Sequence, residues 1–277
     1  MLRDYQEAAV TDALSFVSTA VRGDKRLYAA PCGSGKSFVE RELLSRLPNW
    51  WLITPRLEIA AGMLEKLGIR THSLRELVDA CQSQRICTPI RFRNILFRGE
   101  VPNVAGLIFD EGHHALAESW HQVWLAAGMP PILLFTATPF RGSPRGTATF
   151  RELWGEPTWI ITMPEAAQRG HISIPTFEIL PLVDDDLIEL SSTGEFEVTS
   201  LESATNDRLD DAANISAERW FKDGRWDRMT VFCLPTVKTA QRMETLLCSL
   251  KAPAAAIVMS TPSQERQTIF KAAEARM

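Results

Sequence analysis

The chain has 277 residues, 45% of them hydrophobic and 23% charged, with a net charge of -4. That length holds one large domain or two with separate cores, and a mildly acidic balance puts any nucleic-acid site on a local patch. The N-terminal "MLRDYQEAAVTDAL" carries acids and no apolar run, and no stretch approaches the ~20 apolar residues that span a bilayer. No signal peptide and no membrane partner are expected, and the expectation is a cytoplasmic protein. The five cysteines (Cys32, Cys81, Cys87, Cys233 and Cys248) are odd in number and form no CxxC pair. They read as reduced, mostly buried thiols rather than a disulfide framework or a zinc site.

In chain order, Asp4 to Arg22 has apolar residues at helical spacing. Short apolar runs then alternate with helical patterns. "RLYAA" is a strand and "GKSFVERELLSRL" a helix; "WWLIT" is a strand and "RLEIAAGMLEKL" a helix. "RICT" is a weak strand, "PIRFRNILF" a short helix, "VAGLIFD" a strand, "SWHQVWLAA" a helix and "PILLFTAT" a strand. Near-continuous apolar strands between helices predict a parallel sheet covered on both faces. Beyond Pro139 the pattern loosens. "FRGSPRGTA" reads as a loop, "PTWIIT" and "IPTFEILPLV" as extended segments, and "DDDLIELSSTGEFE" as a solvated acidic insertion. After the helix "NDRLDDAANISAERWFKDG", βα alternation resumes with "RMTVFCL", "PTVKTAQRMETLLCSL", "APAAAIVM" and "SQERQTIFKAAEAR". The expected organisation is a sheet domain over 1–160, a connecting segment over 161–225 and a partial second sheet domain over 226–277.

"APCGSGKS" fits the phosphate-loop pattern G-x-x-x-x-G-K-[ST], with Ala30 in the first glycine's place. Pro31, Cys32, Gly33, Ser34, Gly35, Lys36 and Ser37 would wrap phosphates between the strand and the helix. Glycines let successive N–H groups face anionic oxygens, and the helix N-terminus adds its positive end. Lys36 would reach the β- and γ-phosphates, and Ser37 would ligate Mg2+. The bland alternative is a glycine turn capping a helix, but strand, loop, lysine, hydroxyl and helix all stand in order.

"GLIFDEGHH" is an apolar strand ending in adjacent acids, placed beside the phosphate loop because sites form at the carboxyl ends of parallel strands. Asp110 would hold Mg2+ through water, and Glu111 would orient and deprotonate a water aimed at the γ-phosphate. "LLFTATPFR" follows, with Thr136 and Thr138 placed to link the carboxylate strand to a moving part; a plain β-branched strand end reads the same way.

These segments resemble, in order, the motifs of a superfamily 2 helicase or translocase of the DEAD/DEAH-like kind. "LRDYQ" resembles the adenine-recognising motif, with Tyr5 and Gln6 in the matching places. "APCGSGKS" resembles motif I, where alanine in the first position is usual. "TPRLEIA" (Thr54, Pro55, Arg56 onward) resembles motif Ia and "TPIR" (Thr88 to Arg91) motif Ib. "DEGH" resembles motif II, "TATP" motif III, and "TVFCLPTVKTAQRMETLL" motif IV. "DEGHH" with "TATPFR" is most similar to the DNA-acting branch that includes helicase subunits of restriction systems and repair helicases. The resemblance implies an α/β fold: a P-loop RecA-like parallel sheet domain, followed here by a partial second RecA-like domain. It implies ATP and Mg2+ as cofactors, Gln6 as the adenine reader, and His113 with Thr136 or Thr138 as the coupling between nucleotide state and nucleic acid. The family's γ-phosphate arginine has no counterpart in this sequence. Arg266 in "SQERQ" does not match it, so a partner chain or a missing C-terminal half is expected to supply it.

"RICTPIRFRNILFRG" is the one local basic stretch, with Arg85, Arg91, Arg93 and Arg98 and interleaved Phe92 and Phe97. Its guanidinium groups, with Thr88 at the helix start, are candidates for phosphate contacts; a solvated helix face over a phenylalanine core is the alternative. Ile90, Ile95 and Leu96 read as core.

The leading expectation is an ATP-dependent DNA translocase or helicase core. The runner-up is a module that binds ATP and DNA with little turnover. A small-molecule kinase shares the loop but not "DEGH" or "TATP".

Overall fold

The computed structural model describes residues 2–100, 103–140, 144–173, 188–189, 196–222 and 230–274. Two compact units divide the chain, Met1–Pro175 and Thr176–Met277.

The first unit opens with α1 (Asp4–Thr19). It continues with β1 (Lys25–Ala29), α2 (Lys36–Arg46), β2 (Trp50–Ile53), α3 (Leu57–Lys66) and α4 (Leu74–Ser83). There follow β3 (Ile86–Cys87), α5 (Pro89–Phe97), β4 (Gly106–Asp110), a 3-10 turn over Gly112–Leu116, α6 (Glu118–Ala126) and β5 (Ile132–Thr136). The unit closes with α7 (Pro144–Trp154), β6 (Thr158–Trp159) and α8 (Met163–Gln168). The strands make one six-stranded sheet in the order β3-β2-β4-β5-β1-β6, all parallel. This is the parallel α/β sheet that the apolar runs predict, and it agrees with the RecA-like first domain that the resemblance implies.

The sheet is buried on both faces because its central strands β2, β4 and β5 are apolar up to their last residues, with period-two alternation between the faces. Ile108, Leu133 and Phe135 pack on one side with Val39 and Leu43 of α2. Leu107, Phe109, Ile132 and Leu134 pack on the other with Trp120 and Trp124 of α6. Trp50 and Trp51 go to opposite faces, one to each core.

The structure departs from expectation in several places. Residues 144–148, expected in a loop, open the helix α7, whose Phe150 and Trp154 are fully buried. A buried i, i+4 aromatic pair outweighs the weak helix propensity of Gly146 and Thr147. The helix α4 went unread. Ile90 is 66% exposed and Phe97 77% exposed, whereas Ile95 and Phe92 are core. The thiols are all free, but only Cys81 and Cys87 are buried; Cys32, Cys233 and Cys248 are exposed.

The first unit extends past residue 160. Ile161 and Ala166 pack against Tyr5 and Ala30, with Ile160 and Ile172 at the rim.

The second unit contains α9 (Val198–Asp207), α10 (Leu209–Lys222), α11 (Val237–Ser249) and α12 (Ser263–Glu274). Its core joins Leu209, Ala213 and Ala217 to Met243 and Leu247. The expected strands in 230–234 and 252–258 join no ladder among the described residues. Their burial alternates as in a strand, with Phe232 and Leu234 inward and Val231 68% exposed, but neither has a neighbouring strand to bond among the described residues. The segment "IPTFEILPLV" and most of the acidic insertion lie outside the described residues. Among the described residues no helix is long and apolar enough to cross a membrane.

Candidate nucleotide-binding site

β1 ends at Ala29, and the chain turns through Pro31–Gly35 into α2. Gly33 and Gly35 both have positive φ, 79° and 86°. Gly35 caps α2 in the left-handed region that L side chains resist. The turn leaves the amides of Gly33, Gly35, Lys36 and Ser37 without a protein hydrogen-bond partner among the described residues. Four converging orphan donors at a helix N-terminus, with a lysine among them, suit a phosphate chain. Lys36 Nζ donates to the Ala30 carbonyl at 3.2 Å, folded over the loop. Ser37 Oγ accepts from Lys66 Nζ, at the end of α3, at 2.5 Å.

α1 clamps the loop from the side. Tyr5 Oη donates to the Ser34 carbonyl at 2.7 Å. Gln6 Nε2 donates to the same carbonyl at 3.0 Å and to that of Gly35 at 3.4 Å, while Gln6 Oε1 accepts from the Arg3 amide. Gln6 is 4% exposed, so its amide holds the loop's shape in this structure. Cys32 lies exposed at the loop's rim, and Pro31 is buried beneath it.

The carboxylates come from β4, which is not the immediate neighbour of β1. β5 runs between them, with Asp110 opposite Phe135 and Ala29 opposite Thr136. The intervening strand end carries Thr136, so the hydroxyl lies between the two chemical elements. Asp110 is buried and its Oδ1 accepts from the Glu111 amide at 2.9 Å. Burial and the neighbouring Glu111 charge push its carboxyl above the usual range. Glu111 has φ 52°, ψ 49°, a left-handed conformation in a non-glycine residue. Such strain persists only where the surroundings impose it, and it turns the carboxylate away from the strand axis. Hydrogen bonding to His113 holds Glu111 below the ordinary carboxylate value despite partial burial. His113 Nδ1 lies 3.3 Å from Glu111 Oε2 and 3.1 Å from Thr136 Oγ1. Thr136 Oγ1 also accepts from the Thr138 amide at 3.1 Å. His113, Thr136 and Thr138 thus form one chain of contacts starting at Glu111.

One residue of this site escaped the sequence reading. Glu40, one turn beyond Lys36 in α2, is fully buried with neither carboxyl oxygen hydrogen-bonded as an acceptor. It faces Asp110, and two carboxylates have no donor between them. Burial, then the Asp110 charge, raises Glu40 well above the usual value, which favours its protonated form beside Asp110. The signal was an acid among Val39, Leu43 and Leu44 on an apolar helix face.

The expected nucleic-acid residues also stand at strand ends. Thr54 and Thr88 follow the paired β2 and β3, and the Thr54 amide donates to the Cys87 carbonyl. Thr54 itself is fully buried, its hydroxyl donating to the Arg56 carbonyl, so it shapes the turn into α3. Pro55 is half-buried and Arg56 exposed; Thr88 stands at the N-cap position of α5 without a side-chain capping bond. Arg91 donates to Gln82 at 2.9 Å, and Arg98 pairs with Glu100 at 3.6 Å. Arg85 is a structural group: its guanidinium donates to the carbonyls of Leu47 and Leu44 at 2.7 and 2.8 Å. Arg93, half-buried, has no ion pair or hydrogen bond among the described residues. Arg266 donates to the carbonyls of Thr261, Val258 and Met259, which occupies its guanidinium within the second unit.

A family model described as "Type III restriction enzyme, res subunit" matches residues 1–141. The chain belongs to that family. It carries a superfamily 2 helicase-like core. No curated protein matches it. Among solved structures, the DNA-bound ATP-dependent type ISP restriction-modification enzyme LlaBIII is 14% identical with a TM-score of 0.51, over 91% of this chain and 21% of that one. The Hef helicase domain of Pyrococcus furiosus is 16% identical with a TM-score of 0.43, over 91% of this chain and 53% of that one. A DEAD box protein of Methanococcus jannaschii is 16% identical with a TM-score of 0.37, over 99% and 76%. At these identities the likeness is one of fold, and the chain spans about half the length of Hef and a fifth of LlaBIII.

Proposed function

We propose that this chain is the ATP-hydrolysing core of a nucleic-acid translocase or helicase that acts on DNA. The observation that carries the reading is the contact chain from Glu111 through His113 to Thr136, on the strand next to the phosphate loop.

The residues take these parts. The amides of Gly33 to Ser37 and the ammonium of Lys36 bind the phosphate chain of ATP. The hydroxyl of Ser37 and the carboxylate of Asp110 hold Mg2+, which neutralises charge on the phosphate oxygens when bound. Ser37, which accepts from Lys66 in this structure, would turn its hydroxyl to that metal. Glu111, kept anionic by His113, orients a water and takes its proton. His113 and Thr136 sense the position of Glu111 and pass it to the Thr138 turn. Arg56, the α5 N-terminus behind Thr88, Arg91 and Arg93 contact the DNA backbone. An arginine directed at the γ-phosphate comes from a partner chain or from other parts of the protein, because Arg266 is taken up by its own carbonyls.

The test is ATP hydrolysis by the 277-residue chain with and without single- and double-stranded DNA, and with RNA, beside Lys36→Ala. Turnover stimulated by DNA and lost in the variant supports the reading. Bound ATP without turnover replaces it with the binding module. No binding of ATP overturns both.

A further inference from the structure

The chain after α8 folds back onto the phosphate loop, and neither the phosphate nor the carboxylate chemistry uses it. α8 stops at Gly170, which has φ 68°. The Gly170 amide donates to the Ala167 carbonyl at 2.9 Å and the His171 amide to that of Ala166 at 2.8 Å. A left-handed glycine after a helix reverses the chain in this way. The reversal sets two side chains against the nucleotide site. The His171 ring centroid lies 5.3 Å from that of Tyr5, tilted by 42°. On the loop itself, a Cβ placed on Gly33 would stand 3.5 Å from Ile172 Cγ2. Arg169 Nη1 also pairs with Asp4 Oδ2 at 2.9 Å, but both side chains are exposed and such a pair holds little.

What Tyr5 does gives these contacts their consequence. Tyr5 Oη and Gln6 Nε2 donate to the Ser34 carbonyl at 2.7 and 3.0 Å, which fills both of its lone pairs. A trans peptide is planar, so its N–H points opposite to its C=O. With the Ser34 carbonyl drawn towards α1, the Gly35 N–H points away from α1, as one of the loop's unbonded donors. The position of Tyr5 therefore sets the direction of a phosphate donor. Tyr5 is 7% exposed, packed with Ala30, Ile161 and Ala166, and His171 is the ring beside it.

We infer that the turn Arg169–Ile172 is a positioning element of the phosphate loop: His171, acting through Tyr5, and Ile172, against Gly33, hold the loop in the form that receives phosphates. The inference rests on the phosphate-loop reading above. Coupling is reciprocal, so phosphates on the loop tighten the turn in return. The turn lies just ahead of Pro175, where the first unit ends, and loop occupancy is thereby felt where the chain leaves that unit.

The experiment uses the full chain, His171→Ala and His171→Phe, with ATP and with inorganic tripolyphosphate, which has the phosphates and no base. His171→Ala is expected to weaken both ligands alike, by about fivefold or more, and His171→Phe, which keeps a ring on Tyr5, to restore both. Amide exchange of residues 169–172 in wild type is expected to slow by about fivefold or more at saturation with either ligand. In Tyr5→Phe, which lacks the hydroxyl that grips Ser34, that slowing is expected to be lost at saturation. Should His171→Ala fail to fold, the exchange measurements decide alone. Weakening of ATP only would put His171 at the base and overturn the positioning role. A lower melting temperature with both affinities unchanged, or exchange that ignores both ligands, would make the turn merely structural and overturn it while the loop stands. Failure of wild type to bind either ligand overturns the loop reading, and the positioning role with it.

Discussion

His113 Nδ1 stands 3.1 Å from Thr136 Oγ1, joining the turn after β4 to the end of β5. The contact matters because each partner has a second obligation. His113 also reaches Glu111, and Thr136 also accepts the Thr138 amide. Thr136 is fully buried, so its hydroxyl cannot be replaced by water. Thr136→Val keeps the shape and removes the oxygen. The expected outcome is a stability loss of about 1–3 kcal/mol from unpaired buried groups, read by denaturant melts. ATP binding should remain, and stimulation of hydrolysis by DNA should fall. Stimulation equal to wild type would cut Thr136 out of the coupling.

Glu111→Gln should bind ATP as wild type does and lose hydrolysis by a factor of about 10² or more, the size of a general-base contribution. The group holds its left-handed backbone in either form, so the amide is not expected to disturb the fold. Because His113 lowers Glu111, the base stays ionised below the usual carboxylate range. Retained hydrolysis in the variant would assign the proton to another group.

Glu40 yields a prediction about stability rather than turnover. Its folded-state value is raised by burial beside Asp110, while the unfolded value is ordinary. Below the unfolded value both states are protonated and the group is neutral in its effect. As pH rises above that value the unfolded chain releases the proton first. Stability then falls, by at most about 1.4 kcal/mol per pH unit, until the folded-state value is passed. Glu40→Gln cannot ionise and escapes that loss. Melts in the presence of chelator should show the variant's advantage growing from pH 4.5 towards neutrality. A constant difference across that range would mean that Glu40 is not the protonated partner.

Much of this arrangement was legible in the sequence because it is periodic. Residues 107–109 and 132–135 are apolar at every position, as a doubly covered strand requires. Phosphate loop and carboxylates sit at strand ends because parallel strands put them there. What was missed was governed by tertiary contacts or by a cap outside the apolar pattern. α4 has a single buried residue, Cys81, so its apolar stripe is thin; its start was nonetheless written in Ser73, whose side chain accepts from the Glu76 amide. α7 was hidden by Gly146 and Thr147 in front of a buried Phe150 and Trp154. Glu40 was hidden because an acid on a helix reads as solvated, and only the fold shows that this one points into the sheet. Arg85 was grouped with its basic neighbours, although it closes the end of α2.

That distinction between arginines gives a paired prediction. Arg85 donates to the Leu44 and Leu47 carbonyls, which terminate α2 and would otherwise lack partners. Arg85→Ala should therefore lower stability by about 1–3 kcal/mol and leave the salt dependence of DNA binding unchanged. Arg93 lies half-exposed on α5 with no bond among the described residues. Arg93→Ala should leave stability within about 0.5 kcal/mol and lower the salt slope by about one unit, the value for one lost phosphate contact. Binding isotherms at several salt concentrations, beside melts of both variants, measure the two quantities. A slope that falls for Arg85→Ala and not for Arg93→Ala would exchange the two assignments and move the DNA path to the other end of α2.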